Sequence, residues 1–167
     1  MLSLQPILMN ILLTPWQHEH TSPLNYRLNS VQASFTRTPY EWLLDNGFTA
    51  TQLPVTILAD DVPIGFFILD SGTDKQPYTD NPHALLLRSM SMNPAWQGRG
   101  LAKQALAPIK LSALIASRFP EANEIILGVN QRNTPAHRLY LACGFCDTGR
   151  TYMGIQELQY VLSLPLP

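Results

Sequence analysis

The chain has few cysteines, little excess charge and no long apolar run, and each shortage excludes a class of protein. Two cysteines in 167 residues are too few for the disulfide framework of a small secreted protein and are typical of a reducing, cytoplasmic compartment. A formal charge of -1 provides no basic field for nucleic acid or an anionic membrane. The sequence contains no stretch of 18 or more apolar residues, so it predicts no membrane span. We expect a cytoplasmic protein without nucleic-acid or membrane partners.

The apolar content is that of a globular protein with a real core. Hydrophobic residues make up 46% of the chain, and no repeat, charge block or low-complexity linker divides it, so we expect a single domain over residues 1–167. The apolar segment from Met1 to Thr14 has no Lys or Arg and is interrupted by Pro6. It therefore predicts a first strand rather than a secretory signal.

The pattern of apolar and turn-forming residues predicts an α/β (α+β) fold with a mixed central sheet of about seven strands flanked by helices. Strands are predicted at Ile7 to Thr14, Leu53 to Ala59, Ile64 to Leu69, Ala84 to Asn93, Glu124 to Asn130, Phe145 to Thr151 and Gln156 to Ser163. The second and third form a hairpin across Asp60 to Pro63. Helices are predicted at Pro39 to Asn46, at Leu101 to Phe119 with a kink at Pro108, and from Thr134-Pro135 to Cys143-Gly144. The segment from Gln17 to Pro39 has no clear period.

A glycine-containing loop precedes the longest helix and predicts an anion site. In Gln97-Gly98-Arg99-Gly100-Leu101-Ala102, small residues allow a tight turn that points successive N–H groups outward, and such a nest binds phosphate. Arg99 and Lys103 add positive charge. Tight packing of a strand against a helix is the alternative explanation of the two glycines. The spacing fits neither a Walker loop nor a dinucleotide-binding fingerprint, and a diphosphate bound without either points toward coenzyme A.

Two motifs resemble the GNAT superfamily of N-acetyltransferases, and in particular its small bacterial single-domain members. The segment from Met92 to Ala102 is similar to the acetyl-CoA loop of the family, Gln/Arg-x-x-Gly-x-Gly/Ala. The segment from Val129 to Phe145 is similar to its Asn-x-x-Ala-x-x-x-Tyr-x-x-x-Gly-Phe pattern. The two acetyl-CoA motifs correspond to residues 84–118 and 124–145. The resemblance implies a splayed pair of strands that holds the arm of acetyl-CoA, which serves as co-substrate without a metal.

The resemblance also implies roles for individual residues. The backbone of Met92 and the side chain of Asn133 would bind the pantetheine arm, and the Met90 N–H would face the acetyl carbonyl as an oxyanion donor. Tyr140 would lie beside the sulfur as general acid, since a phenol with a pKa of about 10 can share a proton with a thiolate whose acid has a pKa of about 8.5. The implied pyrophosphate loop comprises Gln97, Gly98, Arg99, Gly100, Leu101, Ala102 and Lys103.

The strand before the loop offers no carboxylate to act as general base. That strand, His83 to Met92, contains no carboxylate, although many family members carry a glutamate there. The amine could lose its proton through water to Ser89, His83, Asp70 or Glu124, or directly to solvent.

The function that these residues imply is direct transfer of an acetyl group from acetyl-CoA to a primary amine in a ternary complex. The acceptor could be a small amine, a polyamine or the amine of a peptide or protein. The segments Met90 to Ala107 and Arg150 to Gly154 resemble small bacterial members that acetylate diamines, polyamines or amines generally. A catalytically weak acyl-CoA sensor or interaction module is the alternative. A homodimer could form by pairing of exposed edge strands.

Other residues have two explanations each. Phe35, Tyr40, Trp42 and Trp96 could line an acceptor pocket or pack in the core and its rim. Arg88 could bind an acceptor carboxylate or form an ordinary ion pair. A polyamine would need acidic residues, and the plausible supply is Asp60, Asp61, Asp70, Asp74 and Asp80. The segment His18-Glu19-His20 and the Cys143-x-x-Cys146 spacing are better explained by a solvated loop and by a helix end than by metal binding or redox chemistry.

Overall fold

The sheet is mixed and twisted between two layers of helices and loops. The computed structural model describes residues 8–44 and 47–167, and within them a seven-stranded sheet has the order β1-β2-β3-β4-β5-β7-β6. The strands are β1 (Ile11–Pro15), β2 (Gln52–Ala59), β3 (Val62–Asp70), β4 (Ala84–Met92), β5 (Glu124–Asn130), β6 (Cys146–Met153) and β7 (Leu158–Pro165). The helices are α1 (Ser30–Ala33), α2 (Pro39–Leu44), α3 (Leu101–Ala105), α4 (Pro108–Arg118) and α5 (Thr134–Ala142). The predicted fold class is confirmed.

Several element ends differ from the sequence prediction by one or more residues, for example β6, which spans Cys146–Met153, and β7, which spans Leu158–Pro165. β1 begins at Ile11 and ends at Pro15, whereas Ile7, where we expected it to start, lies outside the described residues. The helix predicted from Pro39 to Asn46 is described as far as Leu44, and its predicted last two residues also lie outside the described part.

The connection between β2 and β3 is shorter than expected. Two residues, Asp60 and Asp61, make the turn with φ values of 45° and 68°, and β3 already begins at Val62. Two successive left-handed residues match the twist of a tight hairpin, and Asp is one of the residue types that tolerates this conformation. The predicted four-residue turn was therefore wrong.

The single kinked helix predicted from Leu101 to Phe119 is two helices. α3 ends at Ala105, and α4 begins at Pro108 after an extended Ala107 with φ -55° and ψ 132°. A residue before proline is sterically driven out of the helical region, so Pro108 starts a new helix instead of bending an old one.

The two faces of the sheet bury different clusters. One face packs against α3, α4 and α5 and contains the larger core, in which Phe67, Leu106 and Leu111 are fully buried. The other face carries a smaller cluster of Leu24, Tyr26, Trp42, Phe66 and Ile68, which comes partly from the segment that showed no clear period. Burial of such side chains contributes about 1.5–3 kcal/mol each. This second layer places α2 beside the middle of the sheet.

The helices of residues 8–44 and 47–167 are all too short or too polar to cross a membrane.

Candidate active site

The central parallel strand pair separates soon after it begins. β4 and β5 pair only through Ala84, Leu85 and Leu86 against Glu124, Ile125 and Ile126, although both strands continue for several residues beyond. From Leu87 onward the backbone edge of β4 that faces β5 has no strand partner among the described residues. A wedge-shaped gap therefore opens in the middle of the sheet, as the family resemblance implied.

A β-bulge lies in β4 at the start of this gap. Phe66 pairs with Ser91 and Ile68 pairs with Arg88, so two residues of β4, Ser89 and Met90, lie opposite the single residue Phe67. Ser89 has a φ of 57°, a left-handed conformation that is rare for a residue with a side chain. The extra residue breaks the alternation of side chains, and Arg88 and Ser89 both lie on the face that carries Trp42.

Trp42 contacts Ser89 of the bulge and Arg88, the residue before it. Its indole Nε1 donates to Ser89 Oγ at 2.9 Å, and the Arg88 guanidinium lies 5.4 Å from the ring centroid. The Arg37 guanidinium is 4.5 Å from the same ring. Trp42 itself is 9% exposed, so α2 holds a buried aromatic platform beneath the bulge.

A cavity of about 1010 Å³ opens across the gap on this face. Its walls come from residues 33–42, the loop 73–78, β4, β5 and the β6–β7 hairpin. Phe35 and Trp42 line it, whereas Tyr40 and Trp96 do not, and Trp42 also packs in the smaller core cluster, so that both explanations left open by the sequence apply to it. Trp96 instead packs against the larger core and under the Arg99 guanidinium. The cavity connects the gap to solvent, so a molecule from solution could reach the exposed edge of β4.

Tyr78 and Gln159 form one side of the cavity beside β5. The Tyr78 hydroxyl donates to Gln159 Oε1 at 3.1 Å, and Gln159 Nε2 donates to Asn130 Oδ1 at 3.0 Å. A Cβ on Gly128 would lie 2.5 Å from the Tyr78 ring, so glycine is required there for the ring to approach the strand. Burial, with the nearby Tyr152 hydroxyl, raises the pKa of Tyr78. The phenol therefore stays neutral at physiological pH.

The predicted phosphate loop leaves β4 and turns outward. Gly98 and Gly100 have φ values of 76° and 72°, and a Cβ on either would meet nothing within 4 Å. The backbone N–H groups from Gly98 to Lys103 have no acceptor among the described residues. The outer side of the loop is thus an open nest of unpaired donors, which fits a diphosphate. The tight-packing explanation of the glycines is not supported, because no strand or helix of the described chain crowds them.

The side chains around this loop fix its position. Gln97 Nε2 donates to the Met92 carbonyl at 2.9 Å, and Gln97 Oε1 accepts from Gln32 Nε2 at 2.9 Å. Arg99 Nη2 donates to the Ala95 carbonyl at 3.3 Å. Lys103 is exposed, and its backbone carbonyl faces the Cys143 thiol. Gln97 therefore links the loop to β4 and to α1, a link that the sequence motif did not reveal.

Tyr140 projects from α5 into the larger core. It is 7% exposed, packs edge-on to Phe145, and its hydroxyl makes no hydrogen bond to any described residue. Burial raises the pKa of Tyr140 above the usual value for a phenol, and the nearby Cys143 thiol adds to the increase. The hydroxyl is therefore a neutral donor that has kept its hydrogen-bonding capacity.

Asn133 caps the same helix. Its side-chain oxygen accepts from the Ala136 N–H at 3.4 Å, and its backbone N–H donates to the Asn130 carbonyl at 2.8 Å. The cap uses the oxygen only, so the Asn133 amide NH₂ remains available to a ligand.

The base candidates lie in different places. Ser89 lines the cavity, and the buried Asp70 lies 3.8 Å from Arg88 Nη1. Glu124 Oε2 instead accepts from Ser163 Oγ, and His83 lines a separate cavity of about 310 Å³. Of the acidic residues considered for a polyamine site, Asp60 and Asp61 form a hairpin turn and Asp80 pairs with Arg150 at 3.5 Å. Only Asp74 of that group lines the cavity.

Two further motifs lie in a short turn and at the end of α5. His18 to His20 form a short 3₁₀ turn, and His20 Nδ1 accepts from the Gln17 N–H and lies 2.9 Å from Thr56 Oγ1. Cys143 and Cys146 are both free thiols, the first buried and the second exposed.

Arg88 forms an ion pair with Asp74 at 2.8 Å, one of the two roles that the sequence left open for it. No sequence pattern signals the bulge beside it at Ser89, because that bulge depends on pairing between strands that are distant along the chain.

The comparisons with known proteins agree on one family. The model of the acetyltransferase (GNAT) family matches residues 8–145. An uncharacterized N-acetyltransferase, YbbJ, of Bacillus subtilis (strain 168) is 38% identical over 155 residues, which are 92% of this chain and 96% of that protein. The match extends over nearly the whole of both chains.

Solved structures show the same fold at low sequence identity. The aminoglycoside acetyltransferase AAC(6')-Ib in complex with coenzyme A and kanamycin has a TM-score of 0.73 at 17% identity, over 93% of this chain and 95% of that one. The aminoglycoside N(6')acetyltransferase from Legionella pneumophila has a TM-score of 0.66 at 13% identity, over 96% and 94% of the two chains. With the divided parallel pair, the open glycine loop and the family match together, the chain belongs to the GNAT acetyltransferase family.

Proposed function

We propose that the protein is an acetyl-CoA-dependent N-acetyltransferase that transfers the acetyl group directly to a primary amine in a ternary complex. The separation of β4 from β5 after three residue pairs carries this proposal. The open glycine loop follows the end of β4, and the large cavity opens on the face of the sheet opposite α5. Acetyl-CoA bound at the loop and an amine in the cavity could therefore meet in the gap. We further propose that residues 1–167 form one domain and that its compartment is the cytoplasm, in keeping with two free thiols.

Acetyl-CoA would supply the acetyl group as a thioester. The open nest of N–H donors supports pyrophosphate binding at the loop, and the unpaired edge of β4 supports backbone contacts from Met90 and Met92 to the pantetheine arm. The Met92 carbonyl already accepts from Gln97, so its remaining lone pair would serve. The Asn133 amide would add a donor. The residues proposed for this site are Met90, Met92, Gln97, Gly98, Arg99, Gly100, Leu101, Ala102, Lys103, Asn133 and Tyr140.

Catalysis would rest on position and on two hydrogen bonds. The Met90 N–H belongs to the bulge, where the ladder to β3 is interrupted, and would donate to the carbonyl oxygen as negative charge develops. The Tyr140 hydroxyl would donate to the departing sulfur. Burial raises the pKa of Tyr140, so the hydroxyl stays protonated. It would stabilise the departing thiolate as a hydrogen-bond donor.

The attacking nitrogen would release its proton to water in the cavity. β4 has no carboxylate, and the cavity is open to solvent, so bulk water is the simplest acceptor of that proton. Ser89 Oγ already accepts from Trp42 and can orient a water molecule through its own hydroxyl hydrogen. The bond formed is C–N, the bond broken is C–S, and one proton leaves the amine while one reaches the thiolate.

Thiol release from acetyl-CoA in the presence of different amines tests this proposal. Release above an amine-free control, with the acetylated amine identified by mass spectrometry, is the expected result. Binding of acetyl-CoA without release for any amine would favour the alternative, a catalytically weak sensor or interaction module. Absence of binding would contradict the whole assignment. Light scattering in the same buffer would test the predicted homodimer.

A further inference from the structure

The charged side chains that line the cavity balance one another. Within the described residues they are Arg37, Glu41, Asp74 and Arg88, two of each sign. Glu41 Oε2 accepts from the Thr38 N–H at 3.0 Å at the start of α2. Asp74 pairs with Arg88. The described part of this wall therefore carries no excess of negative charge, which an acceptor with several ammonium groups would need.

The Arg88 guanidinium contacts Trp42 and Asp70 on one side and faces the cavity on the other. The guanidinium lies over the Trp42 ring, and Asp70 Oδ2 is 3.8 Å from its Nη1. The Asp70 side chain is 3% exposed. These contacts fix the arginine on the bulged segment, two residues before Met90, at the edge of the gap.

The carboxylate of Asp70 is itself immobilised. Oδ1 accepts from Thr51 Oγ1 and from the Gly72 N–H, and Oδ2 accepts from Gln52 Nε2. A carboxylate with this many donors stays in place when other groups around Arg88 change. Asp70 is therefore a permanent counter-charge, and it limits how far the guanidinium can turn.

The second partner of Arg88 is exchangeable. The side chain of Asp74 is 63% exposed, whereas that of Arg88 is 33% exposed. An ion pair with one partner largely in water contributes little to stability, because solvent competes for both charges. A carboxylate on a bound molecule could replace Asp74 and present two oxygens to the planar guanidinium, which is the geometry that arginine binds best.

We propose that the acceptor carries a carboxylate as well as the amine, as amino acids and related compounds do, and that Arg88 binds this carboxylate in place of Asp74. This inference rests on the proposed function, and it assigns the acceptor class of the same site. An amine and a carboxylate in one molecule would also match the balanced charge of the cavity. Polyamines and aminoglycosides, which carry several positive charges, would be poor acceptors.

Matched pairs of acceptors test the proposal directly. Glycine, β-alanine and L-phenylalanine are compared with their amides, and spermidine and kanamycin are included as polycations. We expect kcat/KM to be about 10-fold to 100-fold higher for at least one acid than for its amide, mainly through KM, as for loss of a hydrogen bond to a charged group. Thiol release that shows no preference for an acid, or that is fastest with a polycation, would overturn the proposal and leave the N-acetyltransferase function intact.

Two substitutions separate recognition from a purely structural role. Arg88→Gln should lower kcat/KM for the acid much more than for its amide, so that the preference for the acid is lost. Asp74→Asn should lower the KM for the acid, because the competing carboxylate is removed, and a structural ion pair would not give this result. Arg150→Gln is the matched control, since Arg150 also pairs with an exposed aspartate and lies outside the cavity. Equal losses for acid and amide in Arg88→Gln would contradict the proposal.

A complete absence of thiol release is a different outcome. If acetyl-CoA binds and no amine in the panel promotes release, the proposed N-acetyltransferase function fails, and the acceptor assignment fails with it. The two failures are therefore distinguishable.

Discussion

Trp42 donates its indole Nε1–H to Ser89 Oγ at 2.9 Å, which ties helix α2 to the bulge in the central strand. Ser89 holds a left-handed φ of 57°, a conformation that costs about 1–2 kcal/mol for a residue with a Cβ. The hydrogen bond offsets part of this cost and fixes the side of the strand on which Ser89 and Arg88 lie. The N-terminal third of the chain thus shapes the place where the proposed reaction occurs.

Trp42→Phe removes this hydrogen bond and keeps an aromatic platform. We expect a loss of about 1 kcal/mol in the free energy of unfolding, with a raised KM for the amine and an unchanged KM for acetyl-CoA. Trp16→Phe is the control, because the Trp16 Nε1–H is buried without a hydrogen-bond partner in the described residues. Its stability should be unchanged or slightly higher. Urea denaturation and steady-state kinetics measure both effects, and identical behaviour of the two variants would refute the role of the bulge.

Tyr140→Phe removes the proposed donor to the departing sulfur. We expect kcat to fall about 100-fold, while the affinity for acetyl-CoA measured by titration stays within about twofold. Tyr160→Phe is a suitable control, because the Tyr160 hydroxyl only accepts from Gln131 Nε2 at an exposed site. A large loss of acetyl-CoA binding with an unchanged kcat would assign Tyr140 to binding instead.

The pH dependence of kcat follows from the same residue. Burial raises the pKa of Tyr140, so the hydroxyl remains protonated wherever an ordinary phenol would, and to higher pH. The Tyr140 hydroxyl therefore loses its proton only above the usual phenol pKa of about 10. The wild-type profile should show no alkaline decline from this group between pH 7 and about pH 10. A decline in that range that disappears in Tyr140→Phe would contradict the raised pKa.

Gly100→Val tests the phosphate loop against a matched control elsewhere. Gly100 and Gly149 have φ values of 72° and 79°, and a Cβ at either would meet nothing within 4 Å. Valine should therefore impose a similar backbone strain of about 1–2 kcal/mol at both sites, and both variants should lose similar stability. Only Gly100→Val should lower the affinity for acetyl-CoA, by at least about tenfold, since its side chain occupies the space before the donor nest. Equal affinities in the two variants would exclude the loop as the binding site.

Lys75→Met tests how the loop that carries Asp74 is held. Lys75 is 8% exposed, and its Nζ donates to the carbonyls of Ser71, Pro82 and Ala84 at 3.1, 2.7 and 3.0 Å. Removal of the ammonium leaves these acceptors without their donor, so we expect a loss of about 2–3 kcal/mol in the free energy of unfolding. Denaturation of Lys75→Met and of the exposed-site variant Lys103→Met measures the difference. Equal stability of both would show that the three bonds contribute nothing net.

Local sequence patterns predicted the elements that depend on local chemistry. Thr134-Pro135 and Gly144 mark the ends of α5, and the β5 boundaries Glu124 and Asn130 match the structure. The prediction failed where the outcome depended on a single backbone preference, as at Pro108, where a new helix begins. It also could not reveal the bulge at Ser89, because a bulge arises from the register of β4 on β3 and not from either strand alone.

The candidate site was predictable in part. The glycine loop and the tyrosine of α5 follow from motifs in short segments, so their positions could be named from sequence. The wall of the cavity comes from five separate parts of the chain, and the pairing of Arg88 with Asp74 and Trp42 requires the folded arrangement. The proposal for acceptor recognition therefore depends on three-dimensional contacts that no short segment of the sequence reveals.

Detection of an N-acetylated product is the most direct test of the central claim. The protein is incubated with acetyl-CoA and a panel of amines, thiol release is followed in each reaction, and products are identified by mass spectrometry. The account predicts amine-dependent release matched by one acetyl group on the amine nitrogen, with the rate sharply reduced in Tyr140→Phe. Bound acetyl-CoA that yields neither free thiol nor acetylated amine with any member of the panel would contradict it.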